Sequence, residues 1–382
     1  MRKPPPGLAG ATLVVTLAAA LAAAPAPAEA AVLHAGSPDA VPGGYVVKPA
    51  DVAAADRVTA RFADRITRAF PGPFRGFAAT LTGREARRLA ADPGVEYVEQ
   101  DRVLRAVPAR TRPGAPWGLD RIDQRALPPD TRYDFTTTGR GVTAYVIDTG
   151  VRTTHAEFGG RAVHGYDSVD GDSVAQDDNG HGTHVAGVIA GSTHGVAKDV
   201  RICAVRVLNG SGSGTTSGVI AGIAWVTANH VKPAVANISL GGGASVALDD
   251  AVRRLIAAGV TTAVSAGGGN AGVGGTSPAR VVEAVTVGAS TQTDARASFS
   301  NYGAGVDVHA PGTAIQSAWH TGDTATTTLS GTSMATGFVS GVAARYLETD
   351  PAATPARAHA EIVREATPLP WGGRLLHWPP TR

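Results

Sequence analysis

The apolar positions of this chain fall into two regimes, separated by an arginine-, proline- and glycine-rich stretch at 103–116. Before it, 44–47 reads as a strand, 52–69 carries the apolar spacing of an amphipathic helix, and 74–81 reads as a second strand. Thr82 followed by Glu85 is a capping box that predicts a helix over 82–91, and 95–99 closes the unit as a strand. Strands mixed with two helices in so short a span predict a compact α+β domain.

Beyond the stretch, near-continuous apolar runs at 142–147, 200–208, 235–240, 260–266 and 282–287 alternate with helix-like segments. Strands apolar on both faces are buried on both faces, so the pattern predicts an α/β domain with a parallel sheet covered by helices. The composition of 103–116 suits an exposed, cleavable connector, and a domain boundary is expected there.

Composition adds limits. At 382 residues the chain exceeds one average domain. Its 34 Lys and Arg nearly balance 32 Asp and Glu without a basic run, which argues against nucleic acid or a charged membrane surface as partner. Residues 1–30 run from Arg2 and Lys3 through an alanine-rich apolar segment to Ala28-Glu29-Ala30, the pattern of a cleaved secretory signal peptide, and the expected destination is extracellular. The run is short and broken by Pro25 and Pro27, so a membrane anchor is not expected. The single cysteine, Cys203, lies in an apolar run and is read as structural.

Three distant motifs carry chemistry. Asp148 ends the 142–147 run in Asp-Thr-Gly, His181 lies in Asn-Gly-His-Gly-Thr-His, and Ser333 lies in Gly-Thr-Ser-Met-Ala at the start of a helical segment. A serine hydroxyl attacks only when an imidazole takes its proton, and the imidazole needs a carboxylate to fix its tautomer. A helix amino terminus at Ser333 presents backbone N–H groups, so the Ser333 N–H is a candidate oxyanion donor. His184, three residues after His181, reads as a helix residue with a packing role rather than half of a metal pair, because no further ligand cluster accompanies it.

In these residues the chain resembles the subtilisin-like serine proteases, most closely the proteinase K branch, from Trp117 almost to the C-terminus. Segment 44–102, ending Tyr97-Val98-Glu99-Gln100-Asp101, resembles their inhibitory propeptide. The resemblance implies a seven-stranded parallel sheet flanked by helices, preceded by a small α+β propeptide. It implies a signal peptide at 1–30, a propeptide at 31–106, a connector with the maturation cleavage at 107–116, and a catalytic domain at 117–379. It implies a secreted, monomeric endopeptidase acting on proteins or peptides through an acyl-enzyme, made as a zymogen with its own propeptide as inhibitor. No cofactor is implied for the chemistry. Ser239, Leu240, Gly241, Ser265, Ala266 and Gly267 would line the pocket for the residue before the scissile bond, and Gly212, Ser213 and Gly214 would pair with substrate backbone, as an exposed glycine-rich edge can. Asp307 falls at the aspartate of a structural calcium site in some members, with a solvated loop aspartate as the alternative.

The pattern breaks twice. The family's usual oxyanion asparagine follows Ala-Ala-Gly, whereas this chain reads Ser265-Ala266-Gly267-Gly268-Gly269-Asn270; gapless matching puts Gly268 at that position, and Asn270 is a displaced substitute. After the serine the usual Pro-His is Gly337-Phe338, and glycine there lowers the expected order of the helix. Losing one oxyanion donor costs about 10²–10³ in turnover. The competing expectation is therefore a catalytically impaired, peptide-binding relative.

Overall fold

A computed structural model describes residues 29–72, 74–106 and 116–379, together with Met1. The signal peptide expected at 1–30 and the connector expected at 107–116 lie almost wholly outside these residues.

The larger unit is built on a nine-stranded sheet. Seven of its strands, in spatial order from one edge Ala162–Asp167, Arg201–Arg206, Thr143–Asp148, Ala234–Ile238, Thr261–Ser265, Val285–Ser290 and Val308–Pro311, are all parallel. Two-residue strands Arg374–Leu375 and Thr367–Pro368 extend one edge. The expected parallel sheet is thus present, with each apolar run on a strand.

Helices cover both faces. On one, His181–Ala190 packs against Thr332–Thr349, and their buried side chains join one core. On the other, Thr216–Asn229 and Val246–Ala257 lie side by side over a second core. Gly337 has a packing role: a Cβ there would lie 3.0 Å from Val188, so glycine lets the two long helices of the first face approach. The Phe338 ring in turn fills the space left by Gly118.

The smaller unit contains strands Ala40–Pro49, Ile66–Phe70, Gly76–Thr80 and Val95–Ala106, with helices Val52–Arg61 and Gly83–Ala90. The capping box of Thr82 and Glu85 forms as expected. The helix expected over 52–69 does not extend that far. It stops at Arg61, where the N–H of Phe62 turns back to Thr59, and Ile66–Phe70 pairs as a strand with Gly76–Thr80. The strand expected at 95–99 runs on to Ala106.

That extension joins the two units. Val95–Ala106 pairs with Ala40–Pro49 inside the small unit, then with Ser213–Thr215 on one side and Leu240–Gly243 on the other, both antiparallel. One seven-stranded sheet therefore crosses from the small unit into the large one.

Candidate active site

Strands Thr143–Asp148, Ala234–Ile238 and Thr261–Ser265 are neighbours whose carboxyl ends deliver Asp148, Ser239 and Ser265 to one edge of the sheet. Open parallel sheets place their chemistry at that edge. The two long helices of the adjacent face begin there, one at His181 and one at Thr332.

His181 Nδ1 lies 2.7 Å from Asp148 Oδ1, with the ring and the carboxylate both buried. Nδ1–H donates to the carboxylate, which leaves the Nε2 lone pair free to act as a base. Burial opposes the charged ring, but the adjacent Asp148 carboxylate and, less strongly, Asp177 outweigh it and hold the pKa above 6.5.

Ser333 is fully buried in the first turn of its helix. Its Oγ donates to the carbonyl of Ser239 at 3.2 Å, and Ser239 Oγ donates back to the Ser333 carbonyl at 3.1 Å. His181 Nε2 is buried without a hydrogen-bond partner. The serine helix has no side-chain cap. The first N–H groups of a helix have no intrahelical acceptor, so the Ser333 N–H can meet developing negative charge.

The strand Val95–Ala106 occupies the cleft. Leu104 pairs with Gly214 and Arg105 with both Ser213 and Gly241, while Ala106 pairs with Leu240. Gly212 turns the chain into this edge at φ +71°. Leu104 is buried where a Cβ on Gly242 would clash with it. Ser213 and Gly214, expected to pair with substrate backbone, and Leu240 and Gly241, expected to line the pocket, thus lie in one antiparallel arrangement around the end of the smaller unit.

Sequence reasoning missed how this end is anchored. Glu99 Oε2 accepts from Ala247 N at 2.7 Å, and Asp101 accepts from Ser217 N at 3.0 Å and from its hydroxyl at 2.5 Å. Ala247 and Ser217 lie in the first turns of the two surface helices, so each carboxylate sits at a positive helix end. Their two-residue spacing on an alternating strand was the available signal.

The segment at the usual asparagine position is held by backbone. Ser265 and Ala266 are buried, and Gly267 takes φ +103°. Asn301 fixes the following turn, donating to Ala266 O and accepting from Gly269 N and Ala271 N. Gly268 offers no side chain. Asn270 is exposed, with its backbone N–H bound to Phe299 O.

Two side readings resolve. His184 Nε2 donates to Ile315 O at 3.1 Å, and burial lowers its pKa to about 3, which fits the expected packing role. Burial raises the Cys203 thiol to about 11, in keeping with a structural residue. At Asp307, Oδ2 accepts from Thr286 N at 2.8 Å and Oδ1 faces His359 Nε2 at 3.4 Å, so both oxygens have protein partners and the residue is not a freely solvated loop aspartate. Among the described residues no group of three or more His, Cys, Asp or Glu is arranged to hold a metal ion.

A carboxylate paired with an imidazole, and a serine at the start of the neighbouring helix, at the carboxyl edge of a parallel sheet are the groups that acyl-transfer hydrolases use. The model of the subtilase family matches residues 139–377, and that of the peptidase inhibitor I9 family matches 44–106. The chain is 50% identical over 365 residues to an extracellular serine proteinase of Thermus sp. (strain Rt41A), covering 89% of this chain and 88% of that one. It is 53% identical over 316 residues to alkaline serine exoprotease A of Vibrio alginolyticus, covering 82% of this chain and 59% of that one. The crystal structure of a cold-adapted subtilisin-like serine proteinase superposes with a TM-score of 0.67 at 55% identity, over 68% of this chain and 97% of that one. Fervidolysin from Fervidobacterium pennivorans, a keratinolytic enzyme related to subtilisin, shares the fold at 23% identity and a TM-score of 0.77, over 92% of this chain and 62% of that one. The chain belongs to the subtilase family. It is a serine endopeptidase preceded by an inhibitory propeptide, and its chemistry requires no cofactor.

Proposed function

We propose that Ser333 is the nucleophile, His181 the general base and then acid, and Asp148 the carboxylate that orients the imidazole. The Ser333 hydroxyl leaves the Ser239 carbonyl and turns to His181 Nε2. Its proton passes to Nε2 as Oγ bonds to the scissile carbonyl carbon. His181 then protonates the leaving amine, and water repeats the sequence to release the acyl group. The Ser333 N–H receives the oxyanion. Gly268 adds no side-chain donor, so this hole depends on backbone and solvent, with Asn270 as the nearest amide in sequence.

The observation that carries this reading is the clasp between Ser239 and Ser333 at the end of the occupied edge. A substrate strand replacing Val95–Ala106 between Ser213–Thr215 and Leu240–Gly243 runs toward that clasp, with Gly212 shaping the edge and Ser265, Ala266 and Gly267 forming the floor of the pocket beyond it. The propeptide inhibits by filling the same edge. We assign 31–106 to the propeptide, 107–116 to the segment cut on maturation, and 117–379 to a monomeric catalytic domain. Secretion follows from the leader pattern at 1–30 and from the extracellular naming of the Thermus relative.

The test compares the precursor with Ser333→Ala for propeptide release and hydrolysis of a peptide substrate. Equal activity in the two would defeat the assignment.

A further inference from the structure

The loop that delivers His181 is organised by a second buried carboxylate. Asp177 is 3% exposed and accepts five hydrogen bonds. Its Oδ1 takes Thr149 Oγ1 at 2.8 Å, Asn179 N at 3.0 Å and Gly180 N at 2.8 Å. Its Oδ2 takes Thr183 N at 2.9 Å and Thr183 Oγ1 at 2.5 Å.

These bonds replace a missing cap. Gly180, the residue before the His181 helix, has no side chain to bond the first turn. Asn179 Oδ1 accepts from His181 N at 3.1 Å, Thr149 Oγ1 from Gly182 N at 2.9 Å, and Asp177 from Thr183 N. All three leading N–H groups are thereby satisfied from outside the helix. Thr149 also donates its own N–H to Asp148 Oδ1 at 2.7 Å, the oxygen that receives His181 Nδ1–H. One carboxylate thus grips both halves of the acid–base pair: the turn after Asp148 through Thr149, and the first turn carrying His181 through Gly180 and Thr183.

We infer that Asp177 is a positioning residue for catalysis, holding Asp148 and His181 in register and adding negative charge beside the imidazolium formed during attack. The inference rests on the proposed roles of Ser333, His181 and Asp148. Asp177 touches no reacting atom and acts through its neighbours. The groups around the ring are Asp148 on its strand, Asp177 in the preceding loop, His184 one turn on, and His320 across Gly180; the adjacent Asp178 is paired with Arg206. His184 is neutral over the working range, so the two aspartates dominate. Removing either one lowers the basicity of His181.

The experiment uses matured wild type, Asp177→Asn and Thr149→Val on one peptide substrate, with Ser333→Ala as control. Asn keeps the size of Asp177 but loses its charge and one acceptor. Its expected effect is a fall in kcat of about 10–100-fold with KM within about threefold, and a downward shift of the acid limb of kcat/KM. Thr149→Val leaves the charge in place, so kcat should fall about tenfold or more with the limb unmoved. A kcat within about threefold of wild type in either variant overturns the inference. So does a loss in Asp177→Asn that parallels thermal destabilisation while the limb stays put, since that is a structural role alone. Should Asp177→Asn not mature, the Thr149→Val result decides. Activity surviving in Ser333→Ala would instead overturn the underlying triad assignment.

Discussion

Ser333 Oγ donates to the carbonyl of Ser239 at 3.2 Å, turned away from a His181 whose Nε2 has no hydrogen-bond partner. Asp148 and His181 are hydrogen-bonded to each other, while the Ser333 hydroxyl is held by Ser239. The strand Val95–Ala106 is paired with Ser213–Thr215 and Leu240–Gly243 in this same arrangement. The Ser239 side chain is itself held, accepting from Asn237 Nδ2, whose Oδ1 accepts in turn from Ser340 Oγ.

The weakest part of the machinery is the oxyanion hole. Gly268→Asn restores an amide at the expected position, and kcat should rise by up to about 10²-fold with little change in KM, because the added donor acts on charge that appears in the transition state. Steady-state kinetics of the two matured forms checks this. Unchanged kcat would mean that another donor already serves the hole.

The pH profile follows from His181. The ring must be neutral to accept the serine proton, and its pKa lies above 6.5. The acid limb of kcat/KM should therefore have its midpoint above pH 6.5. A midpoint below 6.5 would contradict the Asp148–His181 geometry.

Propeptide retention should depend on its two helix-end carboxylates. Asp101→Ala removes two charge-assisted bonds to Ser217, each worth about 1.5–3 kcal/mol, and should weaken inhibition about 10²–10⁴-fold. Burial raises the pKa of both Glu99 and Asp101. The complex therefore takes up protons more readily than its separated parts, and on account of this pair affinity should hold or tighten as pH falls from about 7 to 5. Inhibition constants across that range test the sign.

His359 and Asp307 form a pH-dependent tie between the C-terminal helix Pro355–Glu365 and the sheet edge. The bond to Asp307, opposed by burial, raises the histidine pKa. A raised folded-state pKa gives stability that is full below pH 6.5 and is lost as pH rises through the folded value. Asp307→Asn should flatten that part of the melting-temperature profile and leave any calcium dependence of the melting temperature unchanged. A loss of calcium dependence in that variant would identify Asp307 as a ligand.

Much of this was legible in the sequence because buried parallel strands are written as unbroken apolar runs. Asp148 could be placed at a strand end because the run 142–147 stops there. The helix expected over 52–69 failed for a specific reason: Phe62, Ile66 and Phe70 lie four apart, a spacing that fits a helix face, whereas in the structure a bulge between Ile66 and Arg68 sends Ile66 to the core of the small unit and Phe70 to that of the large one. Only pairing with Gly76–Thr80 decides between helix and strand. Asp177 was illegible as a cap because it stands three residues before Gly180, where local capping rules do not look. Likewise Gly337 reads as a helix weakness until Val188 appears across the interface.

Attack by Ser333 has an acyl-enzyme as its direct product. Matured protein mixed with an activated ester substrate and quenched early should gain the mass of the acyl group on the peptide containing Ser333, and the Ser333→Ala form should gain none. Peptide hydrolysis without such an adduct, or an adduct mapped to another residue, would contradict the account.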